Sequence, residues 1–482
     1  MRKYSLLIGL IFLNLIVFAQ SKKPNIVLIL ADDLGYGDLS VYGQEKFSTP
    51  NIDALAEKGI LFTDFYAGAP VCAPSRSALM TGQHTGHTYI RGNKEINPEG
   101  QEPLAQNIET FAMALKNAGY KTGAFGKWGL GMVGTSGDPL KKGFDEFFGY
   151  NCQRQSHRYY PTHLWDNEER IELDANENLS KTEIYAPDLI HKKSLTFIHN
   201  YWDAPLFLFI PTVLPHAELI VPDDEIFKKF DGKFEEKPFK GSPYGPNAGI
   251  GYTSQDKPRA TFAAMVTRLD EQVGEVVSAL EEEGMLENTI IIFTSDNGSH
   301  REGGADPDFF KSSGPFRGNK RDLYEGGVRT PFLVQWPAKI KPNSKSNHVA
   351  AFWDIAPTLL EVAQAKPIKK TDGISFLPTL LGKKGQKEHE YLYWEFHEQG
   401  GKQGIRMGDY KAIRLNAKND PNAEIAIYHL PTDIAEQNNI ASKHPELVQK
   451  AKKIMAEARI ESDIFPFQEA VGSRHKTVDI RQ

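Results

Sequence analysis

At 482 residues the chain is long enough to bury a large core and to divide into more than one domain. Apolar residues make up 40% and aromatics 11%, which excludes a disordered or low-complexity polymer. A formal charge of −6 excludes a general nucleic-acid binder, while leaving open local basic clusters that draw an anion into a cleft.

In chain order, Arg2 and Lys3 precede an apolar run over residues 6–18, with Val17 and Ala19 at cleavage-site spacing. Residues 1–20 therefore read as a secretory signal peptide, and the mature protein is expected to be exported, periplasmic or secreted. An uncleaved anchor is the alternative, but the run is short for a bilayer, and no later segment is apolar enough to span one. Asn25 to Ala31 is an almost continuous apolar run, the pattern of a strand buried on both faces of a parallel sheet. Asp32 and Asp33 follow at its C-terminal end, where open α/β sheets place ligands. One such Asp reads as an Asx-turn; a pair repels, and a hard divalent cation would relieve the repulsion. Asn51 is expected to cap a helix over residues 52–58, and residues 60–66 read as a strand.

The next stretch, Val71-Cys72-Ala73-Pro74-Ser75-Arg76-Ser77-Ala78-Leu79-Met80-Thr81-Gly82, begins a helix near Cys72, where the helix dipole and Arg76 favour negative charge. It resembles the signature of the sulfatase family, arylsulfatase-type, Cys-x-Pro-Ser-Arg-x-x-Leu-x-Thr-Gly, at every fixed position. The resemblance implies that a formylglycine-generating enzyme oxidises Cys72 to formylglycine. The hydrate of that aldehyde carries two hydroxyls: one attacks sulfur, and the other later expels sulfate by re-forming the aldehyde. The bland alternative is a buried structural thiol. Only Cys152 could pair with Cys72, and a disulfide would consume the proposed precursor, so none is expected and Cys152 reads as a packing thiol.

Residues 108–118 form an amphipathic helix by pattern, and 122–125 a short strand before Gly126-Lys127-Trp128-Gly129-Leu130-Gly131. This hexapeptide resembles the family's second motif, Gly-Lys-Trp-His-Leu-Gly, and implies that Lys127 contacts sulfate. Gly129 departs from the histidine of that motif, which helps orient or deprotonate the attacking hydroxyl. His300 is the candidate stand-in, set against a solvated loop histidine. Residues 143–166 are rich in aromatics, with Arg154, His157 and His163 as candidate substrate contacts on a sugar-binding rim and core packing as the alternative for several rings. In pattern this loop resembles those of bacterial polysaccharide sulfatases.

Residues 206–211 read as another buried strand, followed by Pro215-His216. The resemblance gives His216 the role of general acid, since a sugar alkoxide leaves poorly without a proton. Residues 222–258 read as a surface loop and 260–283 as a covering helix. A second buried strand over 288–294 ends in Ser295-Asp296-Asn297-Gly298. Three carboxylates and an amide from two strand ends suit Ca²⁺ or Mg²⁺ and not Zn²⁺. The resemblance matches Asp32, Asp33, Asp296 and Asn297 to its metal ligands, with residue 72 beside them, and implies one Ca²⁺. It also aligns Lys320, ahead of Tyr324-Glu325-Gly326-Gly327, with the second sulfate-binding lysine. Arg76, Lys127, Lys320 and the cation would then offset the charge of the transferring sulfuryl group.

A helix over 353–363, a boundary within 366–387 and short strands with a final helix over 445–459 complete the chain. The alternation predicts a layered α/β fold with a mainly parallel sheet. The resemblance implies the alkaline-phosphatase-like form, with a catalytic domain over 21–385 and a small C-terminal α+β domain over 386–482. The expected activity is hydrolysis of a sulfate ester on a carbohydrate, with a galacto-configured sugar as the guess and no nucleic-acid partner. Phosphonate monoester or phosphodiester hydrolysis and an inactive glycan-binding homologue are the competing readings.

Overall fold

The computed structural model describes residues 23–177, 179–242 and 251–467, so the expected signal peptide lies outside the described residues. Its frame is a ten-stranded sheet of β1 (Asn25–Ala31), β2 (Ile60–Phe62), β3 (Lys121–Lys127), β4 (Glu146–Tyr150), β5 (His163–Asp166), β6 (Glu169–Glu172), β7 (Leu206–Pro211), β8 (Thr289–Ser295), β9 (Phe332–Gln335) and β10 (Ser344–Ser346). Their spatial order is β10-β2-β9-β8-β1-β7-β3-β4-β5-β6. The five central strands β8, β1, β7, β3 and β4 run parallel, and antiparallel pairings flank them.

Alternation along the central strands explains the layers. Val27, Ile29, Leu208 and Ile291 face one core, with Leu55 of α1 (Pro50–Glu57), Phe197 of α4 (Ala186–Asn200) and Leu269 of α5 (Pro258–Glu282). Ile26, Leu28, Phe207 and Ile290 face the other, with Leu79 of α2 (Cys72–Thr81), Leu115 of α3 (Phe111–Asn117) and Leu359 of α6 (Phe352–Val362). Both faces are covered, which is why these strands lack the polar alternation of a one-sided sheet. A second, four-stranded antiparallel sheet, β11 (Leu392–Phe396) to β12 (Lys402–Met407), β13 (Tyr410–Leu415) and β14 (Ile425–His429), packs with α7 (Pro445–Glu457) as a small C-terminal domain. Among the described residues no helix is long and apolar enough to cross a membrane.

Several local expectations shift. Asn51 lies inside α1, not at its cap, and its side chain donates to Asp270 Oδ2 at 2.8 Å. The strand expected over 60–66 breaks at Thr63 and Asp64, where Asp64 turns to pair with Arg329 and Arg406 at 3.0 and 2.9 Å. The helix expected from 108 starts at Phe111, because Thr110 accepts a capping bond from Met113 N–H at 3.2 Å. Phe144, Phe147, Phe148, Tyr150, Tyr159 and Tyr160 of the aromatic segment are buried core residues. Both cysteines are buried and free.

Candidate active site

Parallel pairing places the carboxylates. Ala31 of β1 is in register with Ser295 of β8, and Asp296 N–H donates to Ala31 O at 3.0 Å, so Asp32 and Asp296 leave adjacent strand ends together. Asp32 N–H donates to Leu214 O at 3.0 Å, which brings the segment after β7, with His216, to the same edge. Lys127 is the last residue of β3, a longer strand than the four residues its pattern predicts. Cys72 opens α2 immediately in front of these strand ends. Asp33 adopts a left-handed φ of 62°, a conformation Asp tolerates better than most residues.

The centre is buried and dense. Cys72 Sγ lies 3.4 Å from Asp32 Oδ1 and 3.9 Å from Asp33 Oδ1. Lys127 Nζ donates to Asp32 Oδ2 at 2.7 Å. Arg76 spans Asp296 Oδ2 with Nε and an Nη at 3.1 and 2.9 Å, and its other Nη donates to Lys127 O at 2.7 Å. Lys320 Nζ donates to Asp33 Oδ2 at 2.7 Å, to Glu302 Oε2 at 2.8 Å and to His216 Nε2 at 2.9 Å. His216 Nδ1 faces Ala217 O, which assigns its proton to Nδ1 and leaves Nε2 as the acceptor.

Electrostatics follow from this packing. Burial pushes the Asp32 carboxyl up, but Lys127, His216 and Arg76 outweigh it and hold the group well below the usual range. Burial, and next Lys320, hold His216 well below the usual histidine value. Burial raises the Cys72 thiol well above its ordinary value, and Asp32 and Asp296 add to the effect against Lys127 and Lys320. The helix terminus and Arg76 therefore do not bring the Cys72 thiol down: Arg76 is committed to Asp296, and the Asp32 and Asp33 carboxylates stand 3.4 and 3.9 Å from the sulfur.

The donor set fits a hard cation. Asp32, Asp33 and Asp296 supply carboxylates, and Asn297 Oδ1 is buried without a hydrogen-bond partner while its Nδ2 donates to Asp33 Oδ1 at 2.6 Å. Oxygen ligands of this kind suit Ca²⁺ or Mg²⁺.

The remaining predicted residues divide. His157 is stacked on His216, centroids 4.5 Å apart and planes at 10°. His300 stacks on His216 as well, at 5.6 Å and 15°; it is 2% exposed, so it is not a solvated loop residue. Its Nδ1 accepts from Glu302 N–H at 3.2 Å. Arg154 pairs instead with Glu95 at 2.5 Å, and His163 with Glu99 at 2.7 Å, so both are tied to the hairpin over residues 95–101. The sequence reading missed Glu302 and Tyr252. Glu302 pairs with Arg321 and Lys320, and burial, which would raise its carboxyl, loses to Lys320 and the histidines. Tyr252 donates to Glu302 at 3.2 Å and tilts against His157 at 5.6 Å, although its segment reads as surface loop. Only the proximity of Glu302 to Asn297 in sequence signalled the first; nothing local signalled the second.

Residues 24–365 match the family model described as Sulfatase, and residues 316–461 match N-sulphoglucosamine sulphohydrolase, C-terminal. An N-acetylgalactosamine-6-sulfatase of Rattus norvegicus is 31% identical over 424 residues, 83% of this chain and 73% of the relative. An N-acetylgalactosamine-6-O-sulfatase of Bacteroides thetaiotaomicron is 29% identical over 511 residues, covering 90% of this chain and 93% of its own. A crystal structure of Ps i-CgsB in complex with k-i-k-neocarrahexaose superposes with a TM-score of 0.74 at 27% identity, over 90% of this chain and 92% of that one.

Proposed function

The chain belongs to the sulfatase family, and from that premise we propose that it is an exported enzyme hydrolysing O-sulfate esters on a carbohydrate, with a galacto-configured sugar as substrate. It is a sulfuric ester hydrolase by family. The sugar assignment draws on the relatives acting, by name, on N-acetylgalactosamine 6-sulfate, and export on the basic and apolar pattern of residues 1–20. The observation that carries the site assignment is the convergence of Cys72, Asp32, Asp33, Lys127, His216 and Lys320 from five distant segments.

Two groups complete this centre in the proposal. Asp32, Asp33, Asp296 and Asn297 would hold one Ca²⁺, which supplies Lewis acidity toward a sulfate oxygen. Conversion of Cys72 to formylglycine supplies a hydroxyl nucleophile and a route to release sulfate without a separate hydrolysis. The chain's own residues do the rest. Arg76, Lys127 and Lys320 match Asp32, Asp33 and Asp296 charge for charge, so a divalent cation on those carboxylates leaves the positive surplus an anionic ester requires. Lys127 and Lys320, each within 2.7 Å of a carboxylate oxygen, are placed to donate to sulfate oxygens when those enter. Arg76 keeps Asp296 and the end of β3 together. His216 Nε2 accepts from the Lys320 ammonium and is positioned to pass a proton taken from it to the leaving oxygen.

The test pairs sulfate and phosphate esters of one alcohol, and then 6-sulfated N-acetylgalactosamine against its 4-sulfated and gluco-configured counterparts. Peptide mass spectrometry of residue 72 from the native host accompanies the assays. Turnover of sulfate with an aldehyde mass at 72 is expected. A preference for the phosphate ester would favour the phosphonate or phosphodiester reading, and unconverted thiol with sugar binding but no turnover would leave a glycan-binding protein.

A further inference from the structure

Gly129 has φ 74°, and a Cβ built on it would lie 2.2 Å from Gln153 Nε2; the three nearest atoms all belong to Gln153. The Gln153 amide thus occupies the space into which any side chain at 129 would extend. Gln153 is 4% exposed, and its Nε2 has no hydrogen-bond partner. A buried amide N–H₂ left unpaired costs of order 1–3 kcal/mol, so its retention calls for a ligand-bound state that uses it.

Three segments meet around Gln153, and each also leads to the catalytic centre. Residues 127–129 leave β3 from Lys127, which holds Asp32, and Gly129 N–H donates to Asn151 O at 3.1 Å. Residues 151–157 run from there to His157, whose ring lies on His216. Residues 93–101 begin at Asn93, which accepts from Ala73 N–H beside Cys72 at 3.2 Å, and end at Gln101, whose Oε1 accepts from Gln153 N–H at 3.3 Å. Asn151, 1% exposed, adds two further unpartnered amide atoms to the same wall.

We propose that Gln153 is a substrate-positioning residue, donating an Nε2–H hydrogen bond to an oxygen of the bound sulfate group, in the place a side chain at 129 would serve. This rests on the sulfatase reading above. An amide orients without taking a proton, so this position contributes no ionisation to the rate.

The experiment uses the purified full-length enzyme, its Gln153→Ala variant, and Gly129→His in both backgrounds. Histidine is among the residues that tolerate positive φ, and shortening residue 153 clears its Cβ. Affinity for inorganic sulfate is measured by calorimetry beside kcat, KM and melting temperature. Gln153→Ala should weaken sulfate binding and lower kcat/KM by about tenfold to a hundredfold, as for hydrogen bonds to charged groups, at an unchanged melting temperature. Gly129→His should be harmful alone but restore activity to Gln153→Ala, with a new histidine-range ionisation in the pH profile. Wild-type sulfate affinity in Gln153→Ala, or no restoration in the double variant, would overturn the proposal. Should Gln153→Ala not fold, Gln153→Asn, with a retracted amide, gives the same readouts. A wild-type protein that binds sulfate but cleaves no sulfate ester would refute the sulfatase reading instead, leaving the binding comparison intact.

Discussion

Lys320 donates at once to Asp33, Glu302 and His216, and so joins the carboxylate cluster to the stacked histidines. Its neighbours give His216 a role testable by leaving group. His216→Asn is expected to lower kcat on a sugar sulfate by about 10²–10⁴-fold, the usual reach of general acid catalysis. On 4-nitrophenyl sulfate, whose phenolate leaves unaided, the loss should be much smaller. Equal losses on both substrates would remove His216 from that role. Asn297 makes a second case: its orphan Oδ1 is a buried oxygen that the proposed Ca²⁺ would take up. Asn297→Ala should raise the Ca²⁺ concentration needed for half-maximal activity after chelator treatment, read by titrating the metal back.

At the scale of the element, α2 is held in front of the strand ends by the Arg76 guanidinium and by one hydroxyl. Ser75 Oγ donates to Asp296 O at 2.5 Å and accepts from Gly68 N–H at 3.1 Å. Both partners are buried, so Ser75→Ala leaves them unsatisfied and should cost about 1–3 kcal/mol in urea unfolding. Activity should fall further than stability alone accounts for, because the helix that carries Cys72 loses its tie to the Asp296 backbone and keeps only the Arg76 one to its carboxylate. A variant with wild-type kcat would show that packing by Leu79 and Met80 suffices to position the helix. The strand ends themselves are robust: Asp32 and Asp296 follow from the parallel register of β1 and β8.

In the whole molecule, buried ion pairs tie the small C-terminal sheet to segments beside the large one, Glu395 to Arg91 and Arg406 to Asp64. Glu395 of β11 meets Arg91 at 3.1 Å, Arg459 at 2.8 Å and His397 at 2.9 Å. Burial raises its carboxyl, but His397, Arg459 and Arg91 together bring it down from 4.5 to about 2. A carboxyl lower in the folded than in the unfolded state stabilises above the unfolded value, and that contribution is lost as pH falls through the folded one. Stability should therefore fall steeply from about pH 4.5 toward 2, by roughly 3 kcal/mol from this group, and the melting temperature with it. Glu395→Gln should be less stable at neutral pH and flatter through that window. A parallel pH curve for the variant would assign acid lability elsewhere, for example to the buried Glu325–Lys411 pair at 2.7 Å.

Much of the plan is legible in the chain itself. Uninterrupted apolar runs such as Asn25–Ala31 and Thr289–Ser295 can be satisfied only between two helical layers, and the acids that follow them must then emerge on one sheet edge. The Cys72 stretch likewise carries enough fixed positions to identify the family without coordinates. What the linear order does not contain is proximity between segments with no shared pattern. Tyr252 comes from a loop and Glu302 from a turn; each reaches the centre only because the sheet folds its loops over one edge. Ionisation is shaped there too: burial and facing charges, which depend on three-dimensional distance, push the Cys72 thiol up and the His216 imidazole down, against what lies beside them in sequence.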